Sequence, residues 1–149
     1  MLKNALAVLF GCLLAALLLE GALRLFPVSD ATNPLPVNDA SPYLRFEPGQ
    51  NLQPSSGKYF EIRASKSTNN IGFFDDNDAL PHAAQQRIAV IGDSYVEALQ
   101  VDNAEAIHGQ LSKLLGNDAR VNGAGVSGSA LPQYLAYARM LKKEVQPTA

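Results

Sequence analysis

The sequence predicts an α/β domain built on a parallel sheet, carried behind one N-terminal membrane helix. Three observations predict it: fifteen consecutive apolar residues from Ala5 to Leu19, a strand–helix–strand–helix succession after Arg87, and a Gly-Asp-Ser turn directly after the first of those strands. The 149 residues are 47% hydrophobic and 17% charged, neither a disordered nor a fibrous composition. Their number suits one small domain with additional segments. Twelve basic residues stand against fourteen acidic ones. The basic residues are scattered apart from Lys142–Lys143, which excludes the clustered basic face that nucleic acid needs. Cys12 is the single cysteine, which excludes a disulfide framework and a cysteine-based zinc site. No cofactor or metal is expected.

Residues 1–26 form the first element. At about 1.5 Å per residue the Ala5–Leu19 run covers roughly 22 Å of a hydrocarbon layer about 30 Å thick. Extension to Phe26 completes a span, with Arg24 placed to snorkel at the far interface. A cleaved signal peptide and an uncleaved signal-anchor both fit Lys3 followed by this run. Glu20, Leu23 and Arg24 interrupt any small-x-small cleavage site, so the anchor is the expectation. Residues 27–149 are then expected outside the inner membrane, on the periplasmic side, a direction supported only by Lys3 and the α-amino group. Cys12, inside the apolar run, is expected to be inert.

Residues 27–56 contain Pro27, Pro34, Pro36, Pro42, Pro48 and Pro54, which predicts an extended, solvated tether. Within 57–86, Lys58–Arg63 alternates as a short strand does, Asn69–Gly72 signals a turn, and Asp75–Gln86 reads as loop.

Residues 87–149 hold the α/β unit. Ile88–Ile91 is a short apolar run ended by Gly92, as expected of a strand buried on both faces. Asp102 or Asn103 can cap a helix from Ala104 to Leu115, with Ile107, Leu111, Leu114 and Leu115 on its buried stripe and Gly116 as its stop. Arg120–Asn122 reads as a very short strand entering a glycine-rich turn, Gly123–Gly128. Ala130–Val145 reads as a second helix with Pro132 in its first turn.

Ser94 follows the first strand of a parallel sheet, and open α/β folds build their sites at that end. Gly92 permits a tight turn, and Asp93 can hold it by bonding nearby backbone. On physical grounds alone such a turn is equally a capped loop without chemistry. The stretch Ile88-Ala-Val-Ile-Gly-Asp-Ser-Tyr-Val-Glu-Ala, however, resembles the first block of the SGNH/GDSL hydrolases. Val121-Asn-Gly-Ala-Gly-Val-Ser-Gly resembles their second block, and Asn69-Asn-Ile-Gly-Phe-Phe-Asp75 is similar to a stretch that precedes the first block in membrane-anchored members, with Phe74 where that pattern prefers arginine.

The resemblance implies a flavodoxin-like three-layer fold whose sheet is here incomplete, and an exported serine hydrolase of acyl or acetyl esters from envelope glycans or lipids. It implies Ser94 as nucleophile, with its own N–H, the Gly128 N–H and a later asparagine as oxyanion donors, and Asp93 as an orienting group. Ser94 is expected to be accessible at the strand end, outside any helix, with Gly128 close by. Gly123 and Gly125 are expected to serve only turn and packing. The family's third block and its Asp-x-x-His do not appear, since the residues after Val145 stand where a third strand is expected to begin. A fragment with little or no turnover is therefore the expectation, and a small protein that completes its sheet by dimerising is the less favoured one. A non-catalytic membrane-anchored interaction protein and an O-acyltransferase relative remain as alternatives. Three lookalikes are set aside: Gly116-Asn117-Asp118 as a helix-ending turn, His108 as a surface or partly buried helix residue, and His82 as a loop residue.

Overall fold

The computed structural model describes residues 2–26, 29–30, 32–80 and 86–149; His82 lies outside them. Helix α1 (Leu2–Leu25) packs against none of the other described elements, and its leucines from Leu6 onward are exposed. Within Lys3–Leu25 an 18-residue stretch reaches a mean hydropathy of 2.4, and the helix is long and apolar enough to cross a membrane. Those 23 residues rise about 34 Å. Arg24 pairs with Glu20 one turn below, 2.8 Å apart.

A long interrupted hairpin follows. Strand β1 (Asn51–Leu52) pairs antiparallel with β4 (Lys66–Ser67), and inside it β2 (Ser55–Ser56) pairs with β3 (Ile62–Arg63). Only the last two residues of Lys58–Arg63 are therefore strand. The preceding residues turn, with Gly57 at φ +92° and Phe60 at φ +54°.

The expected solvated tether is solvated only in part. Phe46 is 1% exposed and packs on Phe74, ring centroids 4.6 Å apart, and Tyr43 meets Tyr137 edge-on. Proline density excludes helix but does not exclude burial, and here the extended chain carries aromatic side chains into the core. Gly72 is required where this segment crosses the Asn69–Phe73 turn. Its φ is +84°, and a Cβ there would collide with the Phe46 carbonyl.

The α/β unit contains β5 (Gln86–Gly92), α2 (Ser94–Glu97), α3 (Ile107–Leu115), β6 (Ala119–Gly125) and α4 (Leu131–Glu144). Strands β5 and β6 pair in parallel from Gln86↔Ala119 to Gly92↔Gly125. The pleat turns Gly123 and Gly125 toward His108 of α3 and Val96 of α2. Ala124 joins Tyr137 and Leu141 of α4 in the core, with Phe46, Phe73 and Phe74. Beyond the other edge of β5, Arg87 O accepts from Thr148 N (2.7 Å) and Ala149 N (3.2 Å), and Ala89 N donates to Ala149 O (3.0 Å). That is the bonding pattern of a parallel ladder, so β5 lies between β6 and the last residues described.

Four expectations change. Strand β5 is only half-buried, not buried on both faces. Strand β6 runs on through Gly123 and Gly125, because β5 pairs with it along its whole length. The first long helix starts at Ile107, after a 3-10 turn at Asn103–Glu105, because Asn103 turns its side chain inward to Ser67 and Asp76 instead of capping. On that helix Ile107 and Leu114 are 54% and 82% exposed, and His108 is the buried residue.

Candidate functional site

Parallel pairing puts both strand ends on one side of the sheet. Gly92 and Gly125 are register partners, so the loops after them, Asp93–Ser94 and Val126–Ser129, are neighbours. Gly125 lets them approach: a Cβ there would lie 2.7 Å from the Asp93 carbonyl oxygen and from Val96 Cβ.

Asp93 caps α2. Its Oδ1 accepts from Tyr95 N at 3.1 Å, and its Oδ2 accepts from the Tyr134 hydroxyl of α4 at 3.0 Å. The Tyr95 N–H and then the Tyr134 hydroxyl hold this carboxyl below the usual carboxylate range. Ala98, at φ +48°, ends the helix after one turn. Ser94 is therefore the first residue of a helical turn rather than part of an open loop, because the Asp93 cap starts the helix immediately after the strand. Its side chain remains exposed.

Gly128 sits at φ +83° in a turn closed by Ser129 N donating to Val126 O at 3.0 Å. A positive φ at the third residue is the type II pattern, which favours glycine there. Space above it is open, since a Cβ would meet nothing within 4 Å. Among the described residues the N–H groups of Ser94 and Gly128 make no hydrogen bond, so two free donors stand on adjacent loops.

Glu97 joins those loops and was not anticipated from the sequence. It is 3% exposed, and its Oε2 accepts from Ser127 N at 2.6 Å and from the Ser127 hydroxyl. Burial raises its pKa, opposed by the two Ser127 bonds and by Lys66. Lys66 is itself 1% exposed, with its Nζ 5.5 Å from the Phe74 ring centroid and without a hydrogen-bond partner. Burial pushes it down to about 8, against the attraction of Glu97 and then of Asp76, Asp102 and Asp75. The only advance sign was a glutamate three residues after the serine, a spacing of one helical turn.

His108 does not reach Ser94. It is 2% exposed, and a Cβ on Gly123 would lie 2.7 Å from its ring. Neither ring nitrogen has a partner, and burial, then Lys66, pushes its pKa down to about 4. The expected surface or partly buried position gives way to full burial, because Gly123 leaves a hollow in the sheet face that the imidazole fills. Gly116–Asp118 is a 3-10 turn after α3, away from Ser94.

Asp75, last residue of the Asn69–Asp75 stretch, braces β6 from the side. Its carboxylate accepts from Gly123 N at 2.9 Å, Asn122 Nδ2 at 3.1 Å and Asn77 N at 2.9 Å. Burial still raises it to about 6. Asn69 holds the rest of the stretch, its Oδ1 accepting from Ile71 N and Phe73 N. No family model, curated protein or solved structure matches the chain.

Proposed function

We propose that the chain carries the nucleophile side of an SGNH-type serine ester hydrolase, held on a membrane by α1 with residues 27–149 on the periplasmic side. The observation that carries this reading is an exposed Ser94 with an unbonded N–H at one end of a parallel sheet, and a second unbonded N–H, on Gly128, in the neighbouring loop. Fixed donors of this kind act on the negative charge that develops on a carbonyl oxygen, each worth about 10²–10³ in rate. Ser94 is the attacking group, Gly128 and Ser94 supply oxyanion donors, and Asp93 fixes the turn that presents them. Tyr95 and Leu131, 80% and 79% exposed on the two loops' flanks, suit the apolar part of an acyl group. The substrate class is an ester of an envelope glycan or lipid.

A serine hydroxyl needs a base to attack at neutral pH. His108 is buried under Gly123 and cannot serve, so in this reading the base is not His108. Unaided turnover is accordingly slow.

The test is reaction of the full chain, in detergent, with a fluorophosphonate, followed by peptide mapping. Exogenous imidazole supplies a base. Phosphonylation of Ser94 that imidazole accelerates, that Ser94→Ala abolishes and that His108→Gln leaves unchanged supports the reading. Labelling spread over other hydroxyls, or none at Ser94 with imidazole present, overturns it.

A further inference from the structure

The tip of the β2–β3 hairpin presents aromatic and basic side chains that the fold does not use. Tyr59 is 74% exposed and Ile62 41%. Lys58 Nζ lies over the Tyr59 ring, 5.3 Å from its centroid. The tip's one carboxylate, on exposed Glu61, is held against the tip's own backbone: its Oε2 accepts from Tyr59 N at 2.8 Å, and the carboxyl group occupies the space where a side chain on Gly57 would be. Arg63 Nε donates to Phe60 O at 2.8 Å, which ties the strained Phe60 backbone in place. Lys58, Tyr59, Ile62 and Arg63 are all exposed at this tip.

The base of this hairpin is fastened close to the end of α1. Ser29 Oγ accepts from Ser55 N at 3.0 Å, and Asp30 exchanges bonds with Gln53, its Oδ2 accepting at 2.7 Å and its N–H donating at 3.3 Å. Three peptide steps separate Phe26 from Ser29, so covalent geometry holds Ser29 within about 11 Å of Phe26. A hairpin whose base is fastened within that distance of a spanning helix is within reach of the headgroup layer. Tyrosine is enriched at that depth, and lysine and arginine extend their charges to the phosphates there.

We propose that the β2–β3 hairpin is a second membrane contact, seating Tyr59 and Ile62 in the interface of the bilayer that α1 crosses, with Lys58 and Arg63 on lipid phosphates. It rests on the reading of α1 as a membrane span. Two points of attachment then fix how the domain faces the bilayer.

The chain contains no tryptophan, so single substitutions give single fluorophores. The full chain is placed in nanodiscs of phosphatidylcholine and phosphatidylglycerol with brominated acyl chains, which quench only a nearby indole. Leu14→Trp reports the middle of α1 and Tyr59→Trp the hairpin. Leu114→Trp reports the far side: α3 ends at Leu115 just before β6 begins, at the amino end of the sheet. The hairpin connects instead to the carboxyl end, where Ser65 N donates to Asp102 at 2.6 Å. The expected result is strong quenching at Leu14→Trp, blue-shifted emission with intermediate quenching at Tyr59→Trp, and no quenching at Leu114→Trp. Quenching at Leu14→Trp with water-like emission at Tyr59→Trp overturns the hairpin contact and leaves the anchor standing. Blue-shifted but unquenched emission at Tyr59→Trp overturns it in favour of a protein partner. An unquenched Leu14→Trp overturns the anchor and the contact with it.

Discussion

The Glu97 carboxylate accepts both the N–H and the hydroxyl of Ser127, so the residue that ends α2 fixes the loop that carries Gly128. One buried acid thereby holds the serine's helix and the second donor's turn in one arrangement.

Glu97→Gln keeps the shape and removes the charge. Hydrogen bonds to charged groups contribute about 1.5–3 kcal/mol, and Lys66 also loses the largest of its compensating charges. The expected outcome is a loss of stability of about that size, with faster amide exchange at residues 127–129 than in the unsubstituted chain. Denaturant melts and residue-resolved hydrogen exchange check it; unchanged exchange there would remove Glu97 from this role.

Asp75 and His108 oppose one another in their dependence on pH. Asp75 is raised to about 6 by burial, so its favourable contribution is present below about 4 and is lost as pH rises through 6. His108 is lowered to about 4 by burial, so its contribution is present above about 6.5 and is lost as pH falls through 4. Each change is on the order of 3 kcal/mol, at about 1.4 kcal/mol per pH unit. They fall in the same window, and the contributions of these two groups are expected to offset one another between pH 4 and 6. Asp75→Asn is expected to lose stability steadily on acidification, and His108→Gln to gain it. Melts at several pH values check the two slopes, which should have opposite signs.

The glycines are expected to rank by what surrounds them. Gly125→Ala forces a methyl group against the Asp93 carbonyl and Val96, an overpacking that costs about 1–3 kcal/mol and displaces α2. Gly128→Ala meets open space and carries only the left-handed backbone penalty, about 1–2 kcal/mol. Chemical shifts of Ser94 and Tyr95 should therefore move in Gly125→Ala and stay in place in Gly128→Ala.

The parts legible in the sequence are those where local pattern and tertiary role coincide. The β-branched run before Gly92 is a strand, though less buried than read, the Pro132-started helix is present, and the strands before Asp93 and Val126 pair in parallel. The Ile107–Leu114 stripe misled because the surface it was to cover has a hollow at Gly123, and the imidazole of His108 fits that hollow. A helix's own periodicity does not register such a gap in a strand fifteen residues away. The proline-bearing segment misled for a related reason: Phe46 is buried by Phe74, and irregular chain has no periodicity to announce burial. Lys66 and Glu97 carry charges that composition assigns to the surface, and partners distant in sequence offset their burial: Glu97, Asp76, Asp102 and Asp75 for Lys66, and Ser127 and Lys66 for Glu97. Asp93 and Gly128, by contrast, stand in positions their residue types suggest, a helix cap and a positive-φ turn.

The most direct measurement is the amide spectrum of the full chain after phosphonylation at Ser94. A phosphonate oxygen held by the two free donors should shift the amide protons of Ser94 and Gly128 downfield, further than those of Ser127, Ser129 or Tyr95. An adduct that leaves Gly128 unshifted, or the absence of any Ser94 adduct in the presence of imidazole, would contradict the account.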